Sequence, residues 1–68
     1  MDTKKYVVSA KLIQSEGEPI SERIGVEATG HYEAIGKATK LFWETMYKTE
    51  SRFANVKEFK IKGVYLDF

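Results

Sequence analysis

The residue types that most often carry catalysis or metal binding are scarce in this chain. It has one histidine, His31, and no cysteine, so it offers no Cys/His cluster for zinc and no second imidazole for a histidine-rich metal site. None of its serines lies in a Gly-x-Ser-x-Gly nucleophile turn, and none of its glycines belongs to a phosphate-binding loop. We therefore expect no enzyme activity, no cofactor and no metal site, and we assign His31 a packing or capping role.

Aromatic residues on one predicted helix are the strongest candidates for a binding surface. Tyr32, Trp43 and Tyr47 recur at spacings that place them on one side of the helix, with Lys40 beside them. Tyrosine and tryptophan contribute a large contact area at small entropic cost, as protein-binding hot spots require. We predict that these four residues bind a protein partner. The alternative is that Trp43 packs over the rim of the hydrophobic core.

Basic residues on the predicted strands form a second candidate surface. They occupy positions that a sheet would display on the face opposite the helix: Lys5, Lys11, Arg23, Lys60 and Lys62. Such a face could bind phosphates, so the alternative function is a small nucleic-acid-binding protein. The net charge is only +1, and no RNA-recognition signature accompanies the basic residues. Protein binding is therefore our first prediction.

Length and composition limit the chain to one small domain. With 68 residues, of which 43% are hydrophobic and 31% charged, it can build a single core but cannot brace it with disulfides. A catalytic cavity and its supporting residues would take many of the core positions of so short a chain. It also lacks a signal-peptide pattern and a long apolar run. We expect one α+β domain over 1–68, cytoplasmic and without membrane contact.

Hydrophobic alternation predicts two strands before the helix. Apolar and polar residues alternate over 5–13 and again over 20–28, which is the period of two of a strand with one buried face. Glu22 is the one polar residue on the apolar side of the second strand. The polar segment 14–19 contains Gly17 and Pro19 and predicts an exposed hairpin loop. The two strands should therefore pair antiparallel.

A helix is predicted to begin near His31 and to end before Thr49. Its buried side carries apolar residues at three- and four-residue steps: Ala34, Ile35, Ala38, Leu41, Phe42 and Met46. Its solvated side carries charges of both signs: Glu33, Lys37, Lys40, Glu44 and Lys48. On that side we predict two i,i+4 ion pairs, 33 with 37 and 44 with 48.

A third strand is predicted over 56–68, with a change of phase partway along. Phe59 and Ile61 share one parity, whereas Val64, Leu66 and Phe68 share the other. We predict a bulge at Lys62–Gly63, and the alternative is a tight turn there between two short strands. A crossover through the helix brings this strand beside the first. The predicted fold is a three-stranded, mainly antiparallel sheet of order 2-1-3 with one helix on one face. The third strand could leave an unpaired edge, and its apolar end, 64–68, could pair with a second copy, so a homodimer is left open.

The layout of the chain resembles small phage-encoded proteins of strand-strand-helix-strand form. The segments that carry the resemblance are, in order, Lys4-Lys5-Tyr6-Val7, a polar hairpin, Val26-Glu27-Ala28-Thr29, Glu33-Ala34 and Val56-Lys57-Glu58-Phe59. Among such proteins the chain is most similar to the short transcription inhibitors of lytic phages, which bind and block the host RNA polymerase. The resemblance implies a phage or prophage accessory protein that binds and modulates a host protein.

Overall fold

The computed structural model describes residues 2–67, which form an antiparallel sheet covered on one face by a helical segment. The strands are β1 (Lys4–Gln14), β2 (Ile20–Ala28) and β3 (Val56–Leu66). β1 lies in the centre and pairs antiparallel with both neighbours, so the strand order is β2-β1-β3. The predicted α+β fold, its element order and its sheet order are confirmed. The last residue of the predicted third strand, Phe68, lies outside the described residues.

The central strand β1 supplies the largest share of the buried sheet face. Its alternate side chains point toward the helix and are buried: Tyr6, Val8, Ala10 and Leu12. In the hairpin with β2, Val8 lies opposite Ile24, which is also buried. The connecting loop turns at Gly17, whose φ of +92° is a left-handed conformation that only glycine adopts without a steric cost.

Glu22 lies on the helix side of β2, and an arginine from a later loop offsets its charge. Arg52 Nη2 lies 2.9 Å from Glu22 Oε2, and Arg52 Nε donates a hydrogen bond to Glu50 Oε1 at 3.0 Å. The Arg52 guanidinium also lies 4.3 Å from the centroid of the Phe53 ring, a cation–π geometry. These contacts tie the 3-10 turn Ser51–Phe53 to the edge of the sheet.

The helical segment has the predicted extent but is less regular than its periodicity predicts. It runs as α1 (His31–Leu41), a five-residue π-helical segment (Phe42–Met46) and a final α-helical turn, α2 (Tyr47–Thr49). Tyr47 N–H donates to the carbonyl of Phe42, five residues earlier, which is the hydrogen bond of a π-turn. Such wide turns are uncommon and occur often at functional sites.

The start of the helix is held by side chains on one exposed surface. Thr29 Oγ1 donates to Glu33 Oε2 at 2.6 Å, and Lys37 Nζ lies 3.1 Å from Glu33 Oε1. The hydrogen bond from Thr29, followed by the one from Lys37, lowers the pKa of Glu33 below its ordinary value. The predicted ion pair between residues 33 and 37 is confirmed.

The core uses small residues near the start of the helix and aromatic ones near its end. The buried helix face consists of Ala34, Ala38 and Phe42. Alanines at the first two positions let the helix backbone approach the sheet closely. Phe42 then packs against two other aromatic rings, with centroid distances of 5.2 Å to Phe53 and 5.1 Å to Phe59.

Leu41 was predicted in the buried stripe, and that prediction is wrong. Its side chain is 39% exposed. At about 100° per residue, Leu41 lies about 60° from Ala38, on the flank shared with Lys37. Lys37 Nζ donates to the carbonyl of Glu27 at 2.7 Å, so this flank faces β2, where the described sheet ends. The apolar pattern cannot tell how far the sheet extends beneath the helix.

The third strand contains the predicted bulge and a second one. Ser9 pairs with Gly63 and Ala10 with Ile61, which leaves Lys62 as an extra residue and confirms the irregularity at Lys62–Gly63. A further register shift occurs between Ile13 and Gln14, which pair with Glu58 and Val56 and leave Lys57 as the extra residue. The first bulge restores Val64 and Leu66 to the helix side of the sheet.

Candidate functional site

Two of the predicted partner-binding residues form one aromatic unit at the end of the helix. The ring centroids of Trp43 and Tyr47 lie 5.0 Å apart in an edge-to-face arrangement. Trp43 also packs edge-to-face on the buried Phe42, with centroids 4.9 Å apart. Trp43 is partly buried and Tyr47 is 36% exposed. The Trp43 ring thus packs on the core, as the alternative interpretation predicts, and it also leaves part of its surface open to solvent.

Tyr32 belongs to the same side of the helix but does not join this aromatic unit. It is 92% exposed and stands eleven residues before Trp43, about 16 Å along the helix axis. Gly36, between them, is exposed, and a side chain built there would meet open space. We call the surface formed by Tyr32, Lys40, Trp43 and Tyr47 the aromatic helix face.

Lys40 lies on the aromatic helix face, with an acidic neighbour. Its Nζ lies 4.0 Å from Glu44 Oε2, and both side chains are largely exposed. The predicted pairing of Glu44 with Lys48 is not among the ion pairs of residues 2–67. Ion pairs of this kind contribute little to stability, so Lys40 is free to exchange Glu44 for another partner.

The candidate nucleic-acid residues lie on the sheet face that the helix leaves open. Strand register places Lys5 beside Glu27, Ser9 beside Arg23, and Lys11 beside Lys60. All of these side chains point away from the buried Tyr6, Val8 and Ala10. Lys62 is the extra residue of the bulge and is exposed. We call the surface formed by Lys5, Lys11, Arg23, Lys60 and Lys62 the basic sheet face.

The charges of the basic sheet face are not neutralised at close range. Within residues 2–67, the ion pairs of 4.0 Å or less involve only Lys37, Lys40 and Arg52 among the cationic residues. On the basic sheet face, Lys11 and Lys60 are instead directly opposite each other across β1 and β3. Like charges in this relation destabilise a sheet. A bound anion would remove that repulsion.

Sequence analysis missed an aromatic residue on the basic sheet face. Tyr65 is 58% exposed and lies opposite Val7. Its ring leans over Gly63, so that a Cβ on Gly63 would lie 2.8 Å from Tyr65 Cζ. Val64 and Leu66 point toward the helix, so the alternation of the strand could have predicted that Tyr65, which lies between them, points to the open face.

A shallow depression lies at the end of the sheet where β1 begins. It has a volume of about 310 Å³, and its lining includes Lys5, Gly25, Glu27 and Asp67. Gly25 is open to solvent, because a Cβ at this position would have no neighbour within 4 Å. The depression is thus bordered by one cationic and two acidic side chains.

Comparison with protein-family models, curated proteins and solved structures finds no match to this chain. Within residues 2–67, no three histidine, cysteine or acidic side chains come together as metal ligands. His31 packs edge-to-face on Tyr6, with ring centroids 5.1 Å apart. Among the described helices, none has the length and apolar character needed to span a membrane. The aromatic helix face and the basic sheet face are the two candidate functional surfaces of the described residues.

Proposed function

We propose that this protein is a non-enzymatic binding module that docks onto another protein through the aromatic helix face. The observation that supports this is the Trp43–Tyr47 ring pair, held in place by the buried Phe42 and still open to solvent. Rings fixed in this way lose little conformational freedom on binding, so more of their contact energy contributes to affinity. The π-turn at the same position fits a functional role.

The proposed partner is a host protein, and the proposed site of action is the cytoplasm. The chain resembles the short phage inhibitors of RNA polymerase in the order of its elements, and a phage or prophage accessory protein would act by covering a surface of its host target. A chain without cysteine needs no oxidising compartment to fold. Bacterial RNA polymerase is accordingly the first partner to test.

Substitution of the exposed tyrosines of the aromatic helix face should weaken partner binding. For the double variant Tyr32→Ser/Tyr47→Ser, we expect the affinity to fall by at least about 30-fold. Truncation of a single hot-spot residue costs about 2 kcal/mol of binding free energy, which already corresponds to that factor. Trp43 is left intact because it packs on the core. Immobilised protein would be tested against purified bacterial RNA polymerase and against host lysate, with binding measured by interferometry and pull-down.

The matched control is Tyr65→Ser, which removes a similarly exposed tyrosine from the opposite side of the molecule. Circular dichroism would show that all variants are folded. A partner lost with the helix variant and kept with Tyr65→Ser supports the proposal. A partner that binds the helix variant with wild-type affinity, or that is lost only with Tyr65→Ser, would contradict it.

A second candidate function is the binding of single-stranded nucleic acid by the basic sheet face. It is supported by the cationic side chains without close acidic partners within residues 2–67 and by the exposed ring of Tyr65 beside them. Lysines would contact phosphates, and the tyrosine would stack on a base.

Charge removal on the basic sheet face tests this second function. The double variant Lys60→Gln/Lys62→Gln should reduce the salt slope, which is the slope of the logarithm of the binding constant against the logarithm of the salt concentration, by about 1.4. Each phosphate contact with a single strand contributes about 0.7 to this slope. Fluorescence anisotropy with oligo-dT and oligo-U over a salt series measures this slope. Lys40→Gln with Lys48→Gln makes the same charge change on the helix and should leave the slope unchanged. Equal effects of the two pairs, or no binding by the wild type, would exclude specific use of this face.

A further inference from the structure

The edge of β2 is a regular row of backbone hydrogen-bonding groups that pairs with no further strand of the described sheet. Asp67 N–H donates to the Lys5 carbonyl, so odd-numbered β1 residues direct their backbone groups to β3 and even-numbered ones to β2. By the register of β1 with β2, the even-numbered residues of β2 then face β1. The odd-numbered ones direct N–H and C=O outward: Ser21, Arg23, Gly25 and Glu27. The β1–β2 register has no bulge along its length.

The other edge of the sheet is formed by β3, and it carries features that block the addition of a further strand. The edge of β2 is therefore the more open of the two to pairing. β3 carries two bulges, and the extra residue in each is a lysine, Lys57 and Lys62. Bulges and edge lysines are the usual features that block strand addition. β2 has neither proline nor lysine, and the charge of its one inward-pointing acid, Glu22, is offset by an arginine. Its outward acceptor at Glu27 is bonded by Lys37 Nζ at 2.7 Å, but a carbonyl oxygen can accept a second hydrogen bond.

We propose that β2 pairs antiparallel with β2 of a second copy of this chain, about a two-fold axis at Gly25. The pairing would join the two three-stranded sheets into one sheet of six strands. Gly25 would lie opposite its own counterpart, where the absence of a side chain leaves room on the open face. This proposal is independent of the two functions proposed above.

Charge complementarity selects a second copy as the occupant of this edge. In the proposed register, Arg23 of each copy lies directly opposite Glu27 of the other, on the open face. Opposite charges in this position stabilise a sheet. Glu27 also borders the depression over Gly25, so the arginine would lie along its rim. On the helix side, Ile24 of each copy would lie opposite Val26 of the other. The strand is thus complementary to itself.

The exposed side chain of Leu41 is a second observation that fits this arrangement. Lys37 contacts Glu27, and Leu41 lies one helical turn further on, about 6 Å along the axis. That distance equals about two residues of a strand. Counted back along β2 from Glu27, two residues lead to Gly25, so Leu41 lies near the level of Gly25. Leu41 is 39% exposed on the flank that faces the β2 edge. Two copies related by the proposed axis would bring their Leu41 side chains toward each other.

Charge exchange across the proposed interface tests it by sedimentation equilibrium. We expect the weight-average mass of the wild type to rise from the monomer value toward the dimer value between about 10 µM and 1 mM, with a Kd in that range. Arg23→Glu alone and Glu27→Arg alone should each raise the Kd at least tenfold, because each places like charges opposite one another. The double variant Arg23→Glu/Glu27→Arg should return the Kd to within about threefold of the wild-type value.

Lys60→Glu is the matched control, since it makes the same charge reversal on the open face away from β2. It should leave the Kd unchanged, and circular dichroism would confirm that each variant is folded. A wild type that is monomeric at every concentration overturns the proposal. So does a dimer whose Kd is unaffected by either single variant, because that dimer would use a different surface. Failure of the double variant to recover would exclude the register centred on Gly25.

Discussion

Phe42→Ala should lower the Tm of the protein by at least about 12 °C. The Phe42 ring is fully buried and contacts Trp43, Phe53 and Phe59. Removal of such a ring costs about 3–5 kcal/mol, and each kcal/mol shifts the Tm of a domain this small by about 4–8 °C. A chain of 68 residues has only about 3–10 kcal/mol of stability in total. Thermal and urea denaturation followed by circular dichroism would measure the loss.

Tyr32→Ala is the control, because it truncates an aromatic residue of the same helix that is almost fully exposed. It should change the free energy of unfolding by less than about 0.5 kcal/mol. If Phe42→Ala were no less stable than Tyr32→Ala, the aromatic cluster would not be the main packing unit of the core. The support that we assign to Phe42 beneath Trp43 and Tyr47 would then be wrong as well.

Deletion of Lys62 should leave the fold intact, whereas deletion of Lys60 should destabilise it by about 2–4 kcal/mol. Lys62 is the extra residue of the bulge, so its removal joins Ile61, paired with Ala10, directly to Gly63, paired with Ser9. Removal of Lys60 shortens the strand by the same amount but shifts Ile61 to the open face. Lys62 then takes the position facing the helix. Thermal denaturation of the two variants measures the difference.

The two deletion variants have the same length, composition and net charge, and they differ only in the order of one isoleucine and one lysine. Any difference in Tm therefore reports the direction in which these side chains point. We expect the variant without Lys62 to have the higher Tm, by about 8 °C or more. Equal Tm values would show that β3 can shift its register freely, and the bulge would then have no role in placing Val64 and Leu66.

Much of the fold could be predicted because its signals are local. Alternation in β1 and β2 reflects one buried face, and the change of parity at Gly63 predicted an inserted residue. The π-turn could not be predicted, because its apolar residues fit a regular helix equally well. The second bulge, at Lys57, was missed because it lies at the start of β3, where too few inward residues precede it to reveal a change of phase.

The candidate surfaces could be predicted only in part. Helical spacing placed Trp43 and Tyr47 together, and strand parity placed Lys11 and Lys60 on the open face. Spacing could not show that Trp43 rests on Phe42, nor that Lys11 and Lys60 are direct neighbours. Those facts depend on the distance between elements and on the register between strands, which are set by the packing of the whole core.

The types of the elements, their order and the side of each that is apolar follow from local periods of two and 3.6 residues. Which apolar and charged side chains find neighbours depends instead on how the elements pack together. Arg52 reaches Glu22 from a distant loop, while Leu41 extends toward the edge of the sheet and stays exposed. The physical reason is that burial and charge pairing depend on elements far apart in the chain, and a periodic pattern contains no information about where those elements end.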